Sequence, residues 1–257
     1  MNNKKPMGTQ QGLDRALELM EMLAKNGAGM NVSEISKALG ITRVTATAMV
    51  QSLYQRNYIE KDRAGKYHIG YKFLELSQVY RYRYPFLYAA ENYIRVTAEK
   101  LNIRINVCVL KPEGVAVVLL SKDVSLLPKM IFGYVFPAYA SASGKLLLAT
   151  SPHLDVDSWI YDMECTAYTP YTITDKERLL EELDQIRQQG LAYEREEMTL
   201  QRCCVAAPIR DISGEVIASV SFSCDKDRFD SEQEFLSENI RLLSETISAA
   251  LGYNTLM

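Results

Sequence analysis

The sequence contains few of the residues from which proteins build metal centres and disulfide frameworks. It has only two histidines, His68 and His153, which lie far apart in the sequence. Its five cysteines include no C-x-x-C pair. Structural zinc sites need cysteines and histidines at short, regular spacings. We therefore expect neither a zinc site nor a disulfide framework, and we expect no cofactor.

The sequence also lacks long apolar runs. A membrane-spanning helix needs about 18 or more consecutive apolar residues, and no stretch of that kind is present. The first residues, MNNKKPMGTQQG, contain no apolar core of the kind that a signal peptide needs. We therefore expect a cytoplasmic protein that has no membrane partner.

The net charge is small, −3 at pH 7, but it is divided unevenly along the chain. Residues 1 to 83 carry 13 lysines and arginines against 7 aspartates and glutamates, a net charge of +6. The remainder carries 16 against 25, a net charge of −9. Binding to DNA phosphates needs local rather than global positive charge. The division either arises by chance or indicates a DNA-binding module that precedes a separate domain.

The stretch from Ser33 to Ile69 is typical of a winged helix-turn-helix. Two short helical patterns are separated by the sequence Leu-Gly-Ile-Thr, in which Gly40 supplies a positive φ and Thr42 caps the second helix. The alternative is an ordinary amphipathic helix pair that is followed by a solvated, charged turn.

The second of these helices has one apolar face and one polar face. Helical spacing places Ala46, Met49, Val50 and Leu53 on the inward face. Small polar side chains and one arginine lie on the other face, where they could reach base edges. The residues that we expect to contact DNA from the helix pair are Ser33, Thr42, Arg43, Thr45, Thr47 and Gln51.

A basic hairpin follows the helix pair. Residues 58–60 and 66–69 form two short strand patterns around a polar turn at residues 61–65. We interpret this hairpin as a wing that presents Arg63 and Lys66 to the DNA phosphates.

The remaining patterns divide the chain into four parts. Residues 1–9 form a flexible tail, residues 10–70 the DNA-binding domain, residues 71–84 a linker helix that ends before a proline, and residues 85–257 a second domain. The first helix is expected to bury a stripe of five residues: Leu13, Ala16, Leu17, Met20 and Leu23.

The second domain alternates helical and strand patterns. A helix at 86–101 precedes a hairpin at 105–110 and 115–120, and further strands are expected at 191–194, 202–209 and 216–223. Capping boxes at 174–177 and 231–234 predict the starts of two helices. Helices on either side of an antiparallel sheet give the fold class α+β.

The last strand pattern suggests a pocket. Its apolar residues alternate with three serines, so that Ser219, Ser221 and Ser223 share one face. These serines either face water or line a pocket, which Cys204 and Glu194 could join. The small residues of 141–145 stand at a predicted helix N-terminus, whose free N–H groups suit a carboxylate.

Taken together, several segments resemble the IclR family of bacterial transcriptional regulators. They are LDRALELMEMLA, SEISKALGITRVTATAMVQSL, the wing that ends YHIG, FPAYASASGKLLLA and GLAYEREEMTLQRCCVAAPIRDISGEVIASVSFS. The resemblance covers residues 12 to 252. It implies an N-terminal winged helix-turn-helix, a linker helix and a C-terminal GAF-like (profilin-like) α/β domain with an antiparallel sheet that binds a small effector. It also implies a homodimer or a dimer of dimers.

The resemblance further implies a set of effector contacts. Matched motif by motif, they are Met130, Phe136, Ala142, Ser143, Glu194, Cys204, Ser221 and Ser223. The chain departs from the family's common pattern at Tyr139, where histidine is frequent, and at Gln201, where glycine is frequent. It also lacks the basic residue often found near Ala48.

We therefore expect a repressor that binds an inverted-repeat operator in double-stranded DNA and responds to a small carboxylate. The carboxylate would sit near Ser143, with hydroxyls facing Glu194, Ser221 and Ser223. Because Glu194 would repel a second negative charge, a hydroxylated monoacid such as a sugar acid fits better than a dicarboxylate.

Two other functions are compatible with parts of the sequence. In a thiol-dependent enzyme, Cys204 or Cys203 would be the nucleophile and His153 the base. Adjacent strand residues point to opposite faces, however, so at most one of the two cysteines reaches a given pocket. A sensor that acts only through protein contacts would require that the front module bind no DNA.

Overall fold

The computed structural model describes residues 11–121, 133–151 and 154–253. Met130 and His153, which the sequence analysis singled out, lie outside the described residues. The chain divides into two units, Met1–Tyr84 and Pro85–Met257.

The N-terminal unit consists of helices and a two-stranded antiparallel sheet. Its elements are α1 (Gln11–Lys25), α2 (Val32–Ala38), α3 (Arg43–Gln55), β1 (Ile59–Lys61), β2 (Tyr67–Ile69) and α4 (Lys72–Tyr82). Gly40 has a φ of 62° between α2 and α3, and the Thr42 side chain accepts the N–H of Thr45 at the start of α3. The helix-turn-helix and its wing are therefore present as expected.

The core of this unit corrects the predicted face of α1. Leu19 and Leu23 are the buried residues of α1, whereas Leu13 and Leu17 remain about half exposed. The predicted stripe is therefore confirmed at Leu23 but wrong at Leu13 and Leu17, because α1 packs on the core that contains Ile35 through Leu19 and Leu23. Several apolar residues on one helix allow more than one stripe, and only the packing partner selects among them.

The C-terminal unit is built on a six-stranded sheet in which every neighbouring pair is antiparallel, in the order β5-β4-β3-β8-β7-β6. Its strands are β3 (Arg104–Lys111), β4 (Gly114–Leu120), β5 (Val135–Phe136), β6 (Ala192–Arg195), β7 (Arg202–Arg210) and β8 (Val216–Asp225). Its helices are α5 (Phe86–Leu101), α6 (Ala142–Thr150), α7 (Val156–Asp162), α8 (Lys176–Gln189) and α9 (Lys226–Ala250). The fold class α+β is confirmed.

Helices pack on this sheet in two groups. Helix α9 contacts β7 and β8 and also α5, while α6 contacts β3, β6, β7 and β8 and also α8. The alternation of β8 corresponds to two environments, because Val220 and Phe222 are buried on one side and Ser221 and Ser223 line a cavity on the other. The serine row does not face bulk water.

Both predicted capping boxes need correction. Helix α8 is capped by the side chain of Asp175, which accepts the Arg178 N–H at 2.8 Å, and not by Thr174. Helix α9 begins at Lys226, directly after β8, and Glu232 forms a kink between two helical segments, so the second segment begins close to the predicted residues 231–234. The predicted capping box itself does not form, because Ser231 Oγ donates to the carbonyls of Asp227 and Arg228. Phe229 is buried, so its packing holds the first turn of α9 well before the predicted start.

Gln201, where the family commonly has glycine, adopts a left-handed conformation with a φ of 63°. Its N–H donates to Glu196 Oε1 at 2.8 Å, and its carbonyl accepts the Lys226 N–H at 3.1 Å. Because L-residues adopt this conformation at a cost that glycine avoids, these bonds offset the strain of the turn before β7.

Within residues 11–121, 133–151 and 154–253, no helix is both long and apolar enough to cross a membrane. The same part of the chain holds no group of three histidine, cysteine, aspartate or glutamate residues that could bind a metal ion.

Gly144 provides a test of the packing at the start of α6. A Cβ at this position would lie 2.2 Å from the carbonyl oxygen of Ala138. We therefore expect Gly144→Ala to lower the free energy of unfolding of the C-terminal unit by about 1–3 kcal/mol through overpacking. Urea unfolding followed by the fluorescence of Trp159, the only tryptophan, measures this change.

The matched control is Gly12→Ala in α1, where a Cβ would meet nothing within 4 Å. This control should leave the Trp159 transition unchanged, since Gly12 belongs to the other unit. A Gly144→Ala protein as stable as the parent would show that the approach of α6 to Ala138 is not a tight constraint.

Candidate functional site

The outer face of α3 is open to solvent in the N-terminal unit. All six residues proposed from the helix pair are exposed: Ser33, Thr42, Arg43, Thr45, Thr47 and Gln51. Three of their hydroxyls already make local bonds. Thr42 Oγ1 and Thr45 Oγ1 lie 2.9 Å apart, and Thr47 Oγ1 donates to the Arg43 carbonyl at 2.8 Å. Arg43 and Gln51 have the longest side chains of this exposed set.

The side chain of Asp62 stabilises the turn of the wing. Asp62 Oδ1 accepts the Lys66 N–H at 2.8 Å, and Asp62 Oδ2 lies 3.0 Å from His68 Nε2. The hydrogen bond from His68 lowers the pKa of Asp62. Arg63 is exposed at the turn and Lys66 is half-buried. The turn thus presents both proposed cations from a fixed backbone.

Two features that position this surface were not found from the sequence. Asn31 caps α2 by accepting the N–H groups of Ser33 and Glu34, and it forms a capping box with Glu34. Met30 and Tyr67 exchange two backbone hydrogen bonds of 3.0 and 2.8 Å, which tie the wing to the segment before α2. The Asn-x-x-Glu sequence at residues 31–34 is the signature that could have predicted this capping box.

The C-terminal unit contains a cavity of about 290 Å³ between the sheet and the start of α6. One wall is a row of side chains that crosses four strands. Arg104 pairs with Ser223, Ser223 with Cys204, and Cys204 with Glu194. Neighbouring strands lie about 4.8 Å apart, so the Cα atoms at the two ends of this row are separated by roughly 14 Å. The row therefore runs from a cationic end on β3 to an acidic end on β6.

A second row lies beside the first. It contains Asn106, which pairs with Ser221, and Ser221 pairs in turn with Ala206. Asn106 and Ser221 both line the cavity and are 4% and 3% exposed.

The start of α6 forms the opposite wall. The Ser141 hydroxyl caps this helix by accepting the Gly144 N–H at 3.2 Å, and Ala142 and Ser143 line the cavity. The first N–H groups of a helix have no acceptor within the helix, and they carry the positive end of its dipole. This wall therefore suits the negative end of a ligand.

Glu194 is the carboxylic acid that lines the cavity. It is 3% exposed, and its Oε1 accepts the N–H groups of Glu197 at 2.6 Å and Met198 at 3.2 Å. Burial raises the pKa of Glu194 to about 7, although these hydrogen bonds oppose the shift. The side chain is thus held in one orientation and can change its charge near neutral pH.

A fully buried lysine supports the loop that follows Glu194. Lys145 Nζ donates to Glu182 Oε1 at 2.5 Å and to Glu197 Oε1 at 2.6 Å. Burial raises the pKa of Glu197, and the charge of Lys145 opposes that rise. Sequence reasoning missed this cluster, because its three members come from α6, α8 and the loop after β6.

The structure brings together seven of the eight proposed effector contacts. Those that line the cavity are Phe136, Ala142, Ser143, Glu194, Cys204, Ser221 and Ser223. Met130, the eighth, lies outside the described residues. The cavity also contains Arg104, Asn106 and Arg202, which were not proposed. The alternation of polar and apolar residues along β3 could have revealed the first two.

Tyr139 lines a second cleft of the C-terminal unit and not the cavity that contains Glu194. Its hydroxyl accepts the N–H of Thr166 at 2.8 Å and donates to the carbonyl of the same residue at 2.9 Å. With Trp159 and Tyr168, it lines a separate cleft of about 360 Å³. The departure from the family's histidine therefore changes this cleft and not the sheet wall of the cavity.

The thiols do not resemble activated nucleophiles. Burial raises the pKa of Cys204 well above its ordinary value and that of Cys203 to about 11. A reactive thiol needs a lowered pKa, because the thiolate is the nucleophile.

Profiles of one protein family match most of the chain. The profile of the bacterial transcriptional regulator IclR C-terminal domain matches residues 83–249, and that of the IclR helix-turn-helix domain matches residues 12–63.

Individual relatives are similar over nearly their whole length. The HTH-type transcriptional regulator XynR of Escherichia coli K12 is 26% identical over 246 residues, which cover 95% of this chain and 98% of that protein. The HTH-type transcriptional repressor AllR of the same organism is 28% identical over 251 residues, with coverages of 94% and 90%. The crystal structure of the Thermotoga maritima IclR matches with a TM-score of 0.83 and 26% identity, and covers 94% of this chain and 98% of that one.

The raised pKa of Glu194 predicts a pH-dependent stability. The folded state holds the Glu194 proton up to about pH 7, whereas the unfolded chain releases it near pH 4.5, so the free energy of unfolding falls as the pH rises between these values. Glu194→Gln removes this loss. We expect the variant to gain less than about 1 kcal/mol at pH 5 and about 3 kcal/mol at pH 8. Urea unfolding of the ligand-free protein at both pH values measures the difference.

The control is Glu238→Gln, which neutralises an exposed glutamate on α9 and should change stability little at either pH. An equal gain for Glu194→Gln at pH 5 and pH 8 would contradict the assignment of a buried, titrating carboxyl.

Proposed function

Because the chain belongs to the IclR family of bacterial transcriptional regulators, we propose that it is a repressor whose operator binding is modulated by a small carboxylate metabolite. Its relatives are HTH-type transcriptional regulators, among them a repressor, and not enzymes. In this proposal, residues 10–70 form the DNA-binding domain, 71–84 the linker helix and 85–257 the effector-binding domain.

The exposed face of α3 is the observation that supports DNA binding most directly. Arg43 and Thr45 would read base edges in the major groove, with Gln51 further along the helix. Arg63 and Lys66 of the wing would contact phosphates or the minor groove. The positive charge of residues 1 to 83 supports this assignment, since phosphate contacts supply much of the affinity for DNA.

The cavity supports a small anionic effector. Its carboxylate would lie against the first N–H groups of α6 near Ser143. Its hydroxyls would face Glu194, Ser221 and Ser223, while Ala142, Phe136 and Cys204 would contact its carbon skeleton. Since a second carboxylate beside Glu194 would be repelled, a hydroxylated monoacid, such as a sugar acid, fits this arrangement best.

A second copy of the chain is the proposed protein partner. Helix α4 exposes Leu74, Val79 and Tyr82, which are 71%, 63% and 72% exposed. Neighbouring exposed apolar residues on one helix are typical of a protein contact. A homodimer or dimer of dimers that carries paired helix-turn-helix modules would require an inverted-repeat operator.

Selection of bound sequences from random duplex DNA tests the proposal with the full-length protein. It is run without ligand and again with D-gluconate, D-xylonate or D-galacturonate. We expect an inverted repeat whose recovery changes when an effective acid is present. Recovery of no preferred sequence would instead favour a sensor that acts only through protein contacts.

Two substitutions separate base reading from phosphate binding. Lys66→Ala should weaken binding to operator and random DNA alike and reduce the slope of log K against log salt by about 1. Arg43→Ala should cost about 1–3 kcal/mol on the operator at one base position, because it removes a base contact. Fluorescence anisotropy on the selected operator, its single-base variants and a random duplex measures both effects.

Lys100→Ala serves as the control, because it removes the same charge from an exposed position in the C-terminal unit. A loss for Arg43→Ala that is equal on operator and random DNA would exclude the base-reading role.

Ser221→Ala tests the cavity. It removes a hydroxyl that we propose to contact the effector, and we expect the Kd of the best-binding acid to rise roughly 5- to 15-fold, the equivalent of one hydrogen bond. Isothermal titration calorimetry with the parent, Ser221→Ala and Ser158→Ala makes the comparison. Ser158 is an exposed serine of α7, so its replacement should leave the Kd unchanged. Unchanged affinity for Ser221→Ala would place the effector elsewhere.

A further inference from the structure

Asn106 is a buried amide whose oxygen is not used by the protein. The residue is 4% exposed and lines the cavity from the middle of β3. Its Oδ1 is buried and has no hydrogen-bond partner among the described residues. A buried acceptor without a donor is unfavourable, so such an atom in a native cavity requires an explanation.

The charges around Asn106 restrict the group that can satisfy this oxygen. Arg104 lies two residues earlier on the same face of β3, and Arg202 also lines the cavity. Arg202 is held in place, because Nη2 donates to Ser223 Oγ at 3.0 Å and Nη1 to Asp225 Oδ1 at 2.8 Å. Arg104 therefore makes the β3 side of the cavity cationic, in contrast to the side that carries Glu194, whereas the charge of Arg202 on β7 is paired with Asp225.

Three kinds of ligand group can be compared at this position. An ammonium group could donate to Asn106 Oδ1, but the guanidinium of Arg104, two residues away on the same face of β3, would repel it. A carboxylate would be attracted by the arginines, but it has no hydrogen to donate to the amide oxygen. A hydroxyl is neutral, donates one hydrogen bond and accepts others, so it is compatible with both the amide oxygen and the arginines.

We propose that Asn106 determines the specificity of the cavity by accepting a hydrogen bond from a hydroxyl of the effector. The inference rests on the proposed hydroxylated acid and adds the residue that recognises one of its hydroxyls, with the carboxylate at the start of α6 and this hydroxyl at Asn106. A hydroxyl-free acid of the same length leaves Asn106 Oδ1 buried without a donor. The parent protein therefore binds a hydroxylated acid roughly 10- to 100-fold more tightly than its hydroxyl-free counterpart.

Isothermal titration calorimetry with the full-length protein tests this inference. The probes are D-gluconate and D-galacturonate, each against hexanoate, and D-xylonate against pentanoate, so that the carbon number is matched within each pair. The readout is the ratio of the two Kd values in a pair, which does not depend on how tightly the carboxylate itself is held.

Three variants test whether the amide oxygen of Asn106 is the atom that accepts the hydrogen bond. Asn106→Leu keeps the branched shape of the side chain and removes the acceptor, so the ratio should fall roughly 5- to 15-fold, which leaves the discrimination supplied by Glu194, Ser221 and Ser223. Asn106→Ala removes the same acceptor with a smaller side chain and serves as a second probe if the leucine variant fails to fold. Asn106→Asp retains an oxygen at this position and should preserve the ratio even if its charge weakens both acids. Operator binding without ligand and the Trp159 unfolding transition verify that each variant is folded.

The possible results distinguish the inference from the function on which it rests. Equal Kd values for hydroxylated and hydroxyl-free acids in the parent, or an unchanged ratio in both Asn106→Leu and Asn106→Ala, would overturn the role of Asn106 and leave a carboxylate effector in place. If none of the five acids bound, the carboxylate effector and the inference would both be overturned.

Discussion

The C-terminal unit depends on one buried cation. Lys145 is fully buried in α6 and binds carboxylates of α8 and of the loop after β6, namely Glu182 and Glu197. Removing one member of such a cluster would leave an uncompensated buried charge, so the three elements are constrained together. Because the N–H of Glu197 is in turn bound by Glu194, the same cluster orients the acid that faces the cavity.

Strand register determines which side chains form the sheet wall of the cavity. Antiparallel pairing places Arg104, Ser223, Cys204 and Glu194 in one row and Asn106 and Ser221 in the next. A shift of one residue in any strand would move its polar side chains to the opposite face. The apolar residues of β8, buried on the other face, keep the register and therefore keep the polar row at the cavity.

Sequence reasoning succeeded where the signal was local and failed where packing chose between alternatives. Gly40 and Thr42 define the turn through their own backbone and side chain, and the structure agrees with both expectations. The predicted stripe of α1 omits the buried Leu19 and includes the exposed Leu13 and Leu17, and the predicted capping box of α9 does not form, because several apolar or capping residues were available and tertiary contacts selected others. Phe229 illustrates this selection, since its burial extends α9 towards its N-terminus beyond the predicted capping box.

The sequence by itself determined the two-part plan: a basic winged helix-turn-helix, followed by an acidic domain with a serine-bearing strand and a small-residue helix start. These features depend on residues within a few positions of each other, where helix and strand periods apply. Only the tertiary structure decided that Arg104, Asn106 and Arg202 share a cavity with Glu194, and that Lys145 is held between Glu182 and Glu197. These residues come from different strands, helices and loops, and strand order, register and burial bring them together.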